Sequence, residues 1–429
     1  MNSYSLHPKA ILTYQTKGKH HFFGYYDKCP WSKDGRFLLS LETDFIDRLP
    51  TEKNIARIKV FNLESGESKI VAETYAWNFQ QGCMLQWLGQ DFQERVIFND
   101  FRRGQLVSVI FNVLADREEK EIPFPVYAVH PSGKFALSLD FSLLDEVREG
   151  YGYKNGEIDA RDHLIYSFDL DEPHDKKYTI YDGVLHNESL DFTNPNGKHW
   201  ADHLTISPSG DYFAFLHRQP LKSGGFSSQL YLVRTDGKII IGRPDVLLDS
   251  GMASHFVWKN DEELLVWGRP PSVTASVIKN VFLRRILVSL YHALFPTGWI
   301  RQKVSGDSFL LFKNLSKSFE KIGSGKLIED GHCSFSPDKK WLLTDTYASK
   351  DNMRKLLLFN LESEKLIEVG SFYALPDPRF NTKPDFASSN LRADLHPRWN
   401  RDGTQICIDS VHSGSRQMHI IDVRDIVES

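Results

Sequence analysis

The stretch Arg392-Ala-Asp-Leu-His-Pro-Arg-Trp-Asn-Arg-Asp-Gly-Thr-Gln-Ile-Cys-Ile-Asp409 decides how the whole chain reads. Its pattern recurs in Gly331-His-Cys-Ser-Phe-Ser-Pro-Asp-Lys-Lys-Trp-Leu-Leu-Thr-Asp345. In each copy a four-residue turn separates two short apolar runs, the signature of a β-hairpin. A histidine (His332, His396) lies four residues before the turn, and an aspartate (Asp345, Asp409) thirteen residues after the histidine. Antiparallel strands across such a turn make the two residues direct neighbours, within reach of an imidazole–carboxylate hydrogen bond.

The turn returns as Ser32-Lys-Asp-Gly, His130-Pro-Ser-Gly and Ser207-Pro-Ser-Gly, and in degraded form as Leu88-Gly-Gln-Asp and Lys259-Asn-Asp-Glu, which makes seven. Around it each unit repeats an inner strand, the turn, an apolar strand, a variable loop, a third strand and a last strand. The third strand ends recognisably in Phe61-Asn-Leu, Phe111-Asn-Val, Phe168-Asp-Leu and Phe359-Asn-Leu. Such regular turns predict radial repetition, an all-β seven-bladed β-propeller, with blades at about 20–75, 76–124, 125–185, 198–250, 251–323, 328–372 and 390–429. Residues 8–16 read as a strand without a hairpin partner, while the last blade lacks an outer strand. The N-terminal strand is therefore expected to complete that blade and close the ring, removing an exposed edge. No linker separates the units, so residues 1–429 read as one domain.

A net charge of -4 supplies no basic excess for a nucleic-acid backbone. Cys29, Cys83, Cys333 and Cys407 are scattered singly, without the C-x-x-C spacing of a metal or redox pair, and read as buried, reduced thiols. The N-terminus lacks a basic region followed by an apolar run, which leads to the expectation of a cytoplasmic protein.

The variable loops fall on one face of the predicted ring, at 42–54, 141–162, 218–227 and 269–307. Loops on one face of a rigid scaffold are where binding and chemistry concentrate. Residues 276–295 of the longest loop read as a helix stopped by Pro296, a helical insertion in the fifth blade. Lys279, Arg284 and Arg285 interrupt it, which argues against a membrane span. It reads as a lid packed on the propeller, or as a basic–apolar helix touching a protein partner or the inner membrane face.

Four residues before the turn stand His203, His255, His332 and His396 in four consecutive blades, against Lys28, Met84 and Val126 in the other three. Equivalent positions lie at equal depth in a propeller, so the four imidazoles are expected at one mouth, with His21, Tyr25, Asp27 and Arg392 close by. Arg102, Tyr151, Tyr153, Arg218 and Arg416 come from loops of the same face. In WD-repeat propellers a histidine and an aspartate in each blade serve only to hold it together, and His332–Asp345 and His396–Asp409 fit that reading too. His203 and His255 have no aspartate at the partner position, which favours a functional role. Two chemistries suit such a ring. Four imidazoles could bind a divalent metal, manganese or zinc, with Asp345 and Asp409 fixing their tautomers. Alternatively, histidine, tyrosine and arginine together suit abstraction of a proton next to a carboxylate. No phosphate loop, Rossmann fingerprint, His-Glu-x-x-His pair or Gly-x-Ser-x-Gly elbow is present.

Together with His21-Phe-Phe-Gly-Tyr-Tyr-Asp27, Asp330-Gly-His-Cys-Ser-Phe-Ser-Pro-Asp338 and Asp394-Leu-His-Pro-Arg-Trp399, the hairpins resemble the seven-bladed propeller polysaccharide lyases, the oligogalacturonate lyase and ulvan lyase group. The resemblance covers nearly the whole chain at the level of blades. It implies an acidic oligo- or polysaccharide partner cleaved by β-elimination, often with a bound metal. It further implies site roles for His203, His332 and His396, a carboxylate clamp at Arg218 or Arg416, and a proton carrier at Tyr151 or Tyr153. The closely spaced Gln and His-x-His ligands of oligogalacturonate lyases have no counterpart at His396, which Pro397 and Arg398 follow. A non-catalytic propeller that binds glycan or protein during cell-surface polysaccharide synthesis is the alternative.

Overall fold

The computed structural model describes residues 3–89, 92–157, 163–171, 177–182, 197–222, 224–236, 244–270 and 306–429. Two compact units divide the chain: residues 1–159, 168–176 and 332–429 form the first, residues 160–167 and 177–331 the second. Among the described residues there are seven antiparallel sheets, the all-β, seven-bladed propeller class that the turns predict.

In the first unit, His20–Phe22, Phe37–Thr43, Ala56–Asn62 and Ser68–Thr74 make one sheet, and Gln86–Leu88, Arg95–Arg102, Gln105–Asn112 and Arg117–Ile122 another. The duplicated hairpins build two more. Ser334–Phe335, Trp341–Asp345, Met353–Asn360 and Leu366–Tyr373 gain Tyr4–Leu6 as an unforeseen fifth strand. Arg398–Trp399, Gln405–Ser410 and Gln417–Asp422 gain Ile11–Gln15, which pairs antiparallel with Gln417–Asp422. The second unit holds the sheet Trp200–Ile206, Tyr212–Pro220, Phe226–Arg234 and Asp245–Leu248, and the sheet Ala253–Trp258, Leu264–Gly268, Ser308–Phe312 and Phe319–Ile322. The remaining sheet comprises Ala128–Val129, Phe135–Leu139, His163–Asp169 and Tyr178–Asp182.

The turn motif works through its side chains. Ser336 Oγ donates to Asp338 Oδ1 at 2.5 Å and accepts the Trp341 N–H at 3.0 Å, and Ser32, Asp34 and Phe37 repeat the arrangement. The fourth turn position needs left-handed backbone, which glycine adopts freely: φ is 76° at Gly35 and 79° at Gly403. Lys339 holds the same place at φ 62° without that freedom. Strands buried on both faces supply the core. Leu38, Leu39, Leu41, Val96, Phe98 and Val109 anchor one cluster, and Leu343, Leu356, Leu358, Ile406 and Ile408 another.

The variable loop that begins at residue 141 opens with a helix, Phe141–Val147. Asp140 caps it by accepting the Leu143 N–H at 2.8 Å. Residues 276–295 lie outside the described residues, so the expected helix has no structural account. The described ends of that insertion are joined by Arg269, whose Nε and Nη2 reach Asp307 at 2.7 and 3.0 Å. No helix among the described residues is long and apolar enough to cross a membrane.

Candidate active site

The pairing registers Ser334↔Leu343 and Arg398↔Cys407 carry His332 opposite Asp345 and His396 opposite Asp409. The first pair forms as the spacing predicts. His332 Nδ1 lies 2.9 and 3.0 Å from the two Asp345 oxygens, and its backbone N–H donates to Oδ1 at 2.8 Å. The second pair does not form. His396 has φ 41°, a left-handed backbone that turns its ring away from the hairpin, and its Nδ1 lies 2.7 Å from the Gly24 carbonyl oxygen. Asp409 is taken by Arg398 Nη2 at 3.0 Å and by the Phe23 N–H at 3.3 Å. A guanidinium gives this carboxylate a stronger, charge-assisted bond than an imidazole would.

These contacts decide the tautomer of His396. A carbonyl oxygen only accepts, so Nδ1 carries the hydrogen and Nε2 presents its lone pair. Burial first, and then the neighbouring His332, hold this imidazole well below the usual histidine range, so it is neutral. Its Nε2 is buried and has no hydrogen-bond partner among the described residues. The His332 and His396 rings stand edge to face, 4.2 Å between centroids. Tyr25 packs on His396 at 5.2 Å and Tyr26 on His332 at 5.4 Å, while the partly exposed Tyr347 lies 6.0 Å from His332.

Asp394 completes the centre. Arg392 Nε donates to Oδ2 at 2.8 Å, and Arg354 Nη1 lies 2.7 Å from Oδ1 as an ion pair off the hydrogen-bonding direction. Burial alone would raise this carboxyl; Arg392 and Arg354 override it and hold the group well below the usual carboxylate range. Arg392 Nη2 also donates to Tyr151 Oη at 2.6 Å, and the Arg148 guanidinium covers the Tyr151 ring at 3.5 Å. One potential ligand atom from each of His332, Asp394 and His396 lies within 4.8 Å of the others. The donor set fits a divalent metal. It offers a neutral imidazole with an orphaned lone pair, a second imidazole held through Nδ1 by a carboxylate, and an ionised carboxylate.

Within the first unit two of the four expected imidazoles, His332 and His396, meet with Asp394. His203 and His255 belong to the second unit, with ring centroids 5.6 Å apart, and are not in the metal-competent group. His203 has φ 54° and lies 3.7 Å from Asp202 through Nε2. His255 Nδ1 lies 2.9 Å from Asp330, a pairing the motif Asp330-Gly-His332 contains but does not announce. Arg218, in the same unit, is buried 3.6 Å from Asp202 and over the Phe226 ring.

Other expected site residues are placed by packing. Tyr153 is buried, stacked on Phe141 and bonded to Asn99 Nδ2 at 3.1 Å, and burial pushes its phenol well above 10, which suits a core residue better than a proton carrier. Arg416 is buried, its Nη1 and Nη2 donate to the carbonyls of Phe79, Leu391 and Arg392, and burial pulls it down to about 10. His21 is sealed between Glu42 and Gln417, both at 3.2 Å. Arg102 spends its charge on Asp100, Glu118 and Glu121. Asp27 pairs with Lys28 at 2.8 Å. Arg354 and Tyr347 were missed, because neither lies in a repeated position of the hairpins.

No protein-family model matches the sequence, and no curated protein matches it. Among solved structures the chain is similar to the oligogalacturonate lyase of Vibrio parahaemolyticus, at 10% identity over 96% of this chain and 98% of that one, with a TM-score of 0.56. A second oligogalacturonate lyase, solved in complex with manganese, aligns at 9% identity over 98% of this chain and 99% of that one, with a TM-score of 0.38. At such identity the first likeness shows the fold alone, and it agrees with the family that the motifs resemble.

Proposed function

We propose that this protein is a propeller lyase that cleaves a uronate-containing oligo- or polysaccharide by β-elimination, with its reacting centre at His332, Asp394, His396, Arg392 and Tyr151. The observation that carries the proposal is the orphaned, buried lone pair of His396 beside an arginine-held carboxylate and an arginine-bonded phenol. A centre built only to hold blades together has no use for an unsatisfied nitrogen of this kind.

In this reading His332, Asp394 and His396 hold a divalent metal. When bound it supplies positive charge against which the substrate carboxylate is neutralised. The chain's own groups do the rest. Arg392 lies beside Asp394 and Tyr151 and adds charge at the carboxylate. Entering the reaction as the phenolate, Tyr151 Oη takes the proton from the carbon next to the carboxylate and gives it to the leaving glycosidic oxygen as the C–O bond breaks and a C=C bond forms, which returns the phenolate. The Arg392 bond opposes the charge on the phenol oxygen while the proton is away. The exposed ring of Tyr347, 5.9 Å from the Arg392 guanidinium, offers a face on which a sugar ring stacks. We further read both units as one propeller domain, closed by the pairing of Ile11–Gln15 with the last blade.

The test is turnover of galacturonate and other uronate oligomers, followed by the ultraviolet absorbance of the unsaturated product, with manganese, with zinc and after chelation. Absorbance growth that chelation abolishes is the expected result. Binding of these oligomers without product would favour a glycan-binding propeller.

A further inference from the structure

Residues 24–28 lead away from the imidazole pair. The Gly24 carbonyl accepts from His396, Tyr25 and Tyr26 pack on the two imidazoles, and Asp27 and Lys28 follow as an ion pair. Lys28 occupies, four residues before its turn, the place that histidine holds in four other blades. Its ammonium lies 5.1 Å from the centroid of the Tyr127 ring, and Gln81 Nε2 donates to Tyr127 Oη at 3.4 Å.

Two glycines hold the loop that carries Gln81 against this segment. A Cβ on Gly24 (φ +125°) would stand 2.8 Å from the Gln81 carbonyl oxygen, and one on Gly82 (φ +65°) 2.8 Å from the Phe23 carbonyl oxygen. Only glycine permits so close an approach with such backbone angles. The same loop is tied to the reacting centre, because Gln80 Nε2 donates to the carbonyls of Asn390 and Arg392, each at 3.1 Å.

This wall contains two acceptors that none of the described residues satisfies. Asp27 Oδ1 and Gln81 Oε1 are both buried without a hydrogen-bond partner, and Gln81 is 2% exposed. Orphaned acceptors at this depth call for a ligand that donates. Lys28 spends one bond on Asp27 Oδ2, and an ammonium has three to give. Sugar hydroxyls supply the missing donors, and a uronate carboxylate takes what Lys28 has left. Sulfate and phosphomonoester dianions carry no hydrogen to give and leave both acceptors unmet.

We propose that Asp27, Lys28, Gln81 and Tyr127 form a further sugar subsite, continuous with the His332–His396 centre through residues 24–28, that binds a third uronate unit beyond the two flanking the broken bond. It rests on the uronate reading above and adds a length requirement: the substrate is recognised as more than the two units flanking the broken bond.

The test compares tri- with digalacturonate as substrates and as ligands in calorimetry. The variants are Gln81→Met, Lys28→Arg and the charge-neutral pair Asp27→Asn with Lys28→Met, each checked for a wild-type melting curve. Wild type is expected to favour the trisaccharide. Gln81→Met and the Asp27/Lys28 pair are expected to cut the tri-to-di ratio of kcat/KM by about tenfold, the scale of one lost charged or buried hydrogen bond, and Lys28→Arg to retain it. An unchanged ratio in a folded Gln81→Met, which leaves both charges in place, would overturn the subsite while leaving the lyase reading intact. If wild type neither binds nor turns over either oligomer, the uronate reading fails and the subsite's ligand with it.

Discussion

Asp345 Oδ2 accepts the backbone N–H of His396 from the next hairpin, 3.2 Å away, while Oδ1 serves both the imidazole and the backbone of His332. One carboxylate thus positions both imidazoles of the centre. Asp345→Asn keeps the shape but loses the charge and one acceptor. It should weaken manganese or zinc binding by about 10- to 100-fold and lower stability by about 1–3 kcal/mol, read by calorimetry and thermal melts. His203→Ala, in the other unit, should leave the metal affinity unchanged.

Arg398 and Asp409 form a fully buried ion pair whose guanidinium also donates to the carbonyls of Gly24 and Tyr25. Arg398→Met strands the carboxylate, and a loss of about 3–5 kcal/mol is expected in denaturant unfolding. The double variant Arg398→Met/Asp409→Leu should recover most of it. If the single and double variants lose equally, the cost lies in packing instead of charge.

Tyr151 and Arg392 share a 2.6 Å bond beside the centre. Tyr151→Phe keeps the ring and removes the atom that carries the proton. The expected result is a fall in kcat of about 10²- to 10⁴-fold with unaltered metal affinity and a stability loss of about 1–3 kcal/mol from the unpaired Arg392 donor. Tyr153→Phe should act on stability alone, through the lost Asn99 bond.

Acid should destabilise the fold. Burial lowers His412 to about 4, and burial first and then His412 hold the neighbouring His419, its ring 4.3 Å away, well below its ordinary 6.5. Between pH 6.5 and 4 the unfolded chain therefore binds protons that the folded chain refuses, and stability falls as pH falls. For His412 alone the loss is about 2 kcal/mol at pH 5. His412→Phe, among the rings of Tyr4, Phe372 and His419, should flatten the melting temperature between pH 7 and 5.

The hairpins at 32–35, 207–210, 336–339 and 400–403 were legible because their turns depend on local chemistry, a serine or asparagine cap and a left-handed fourth residue. His332–Asp345 was legible for the same reason, since a hairpin register fixes it. His396 defeated that logic: one left-handed residue moved its ring to Gly24, hundreds of positions away, and left Asp409 to Arg398. Arg354 could not be found at all, because it reaches Asp394 from a third strand across a contact with no sequence period. The hub of Asp394 with two arginines is a tertiary fact, and repeats do not encode it.

The pairing of Ile11–Gln15 with Gln417–Asp422 sets a schedule on biosynthesis. Thr16 waits for Met418, to which it is joined by backbone and side chain across 402 residues. At ribosomal speeds of about 5–20 residues per second, that is roughly 20–80 seconds during which the early strand has no mate. Nascent chains stalled before residue 417 should be susceptible to protease at Ile11–Gln15, and the full-length released chain should be resistant there.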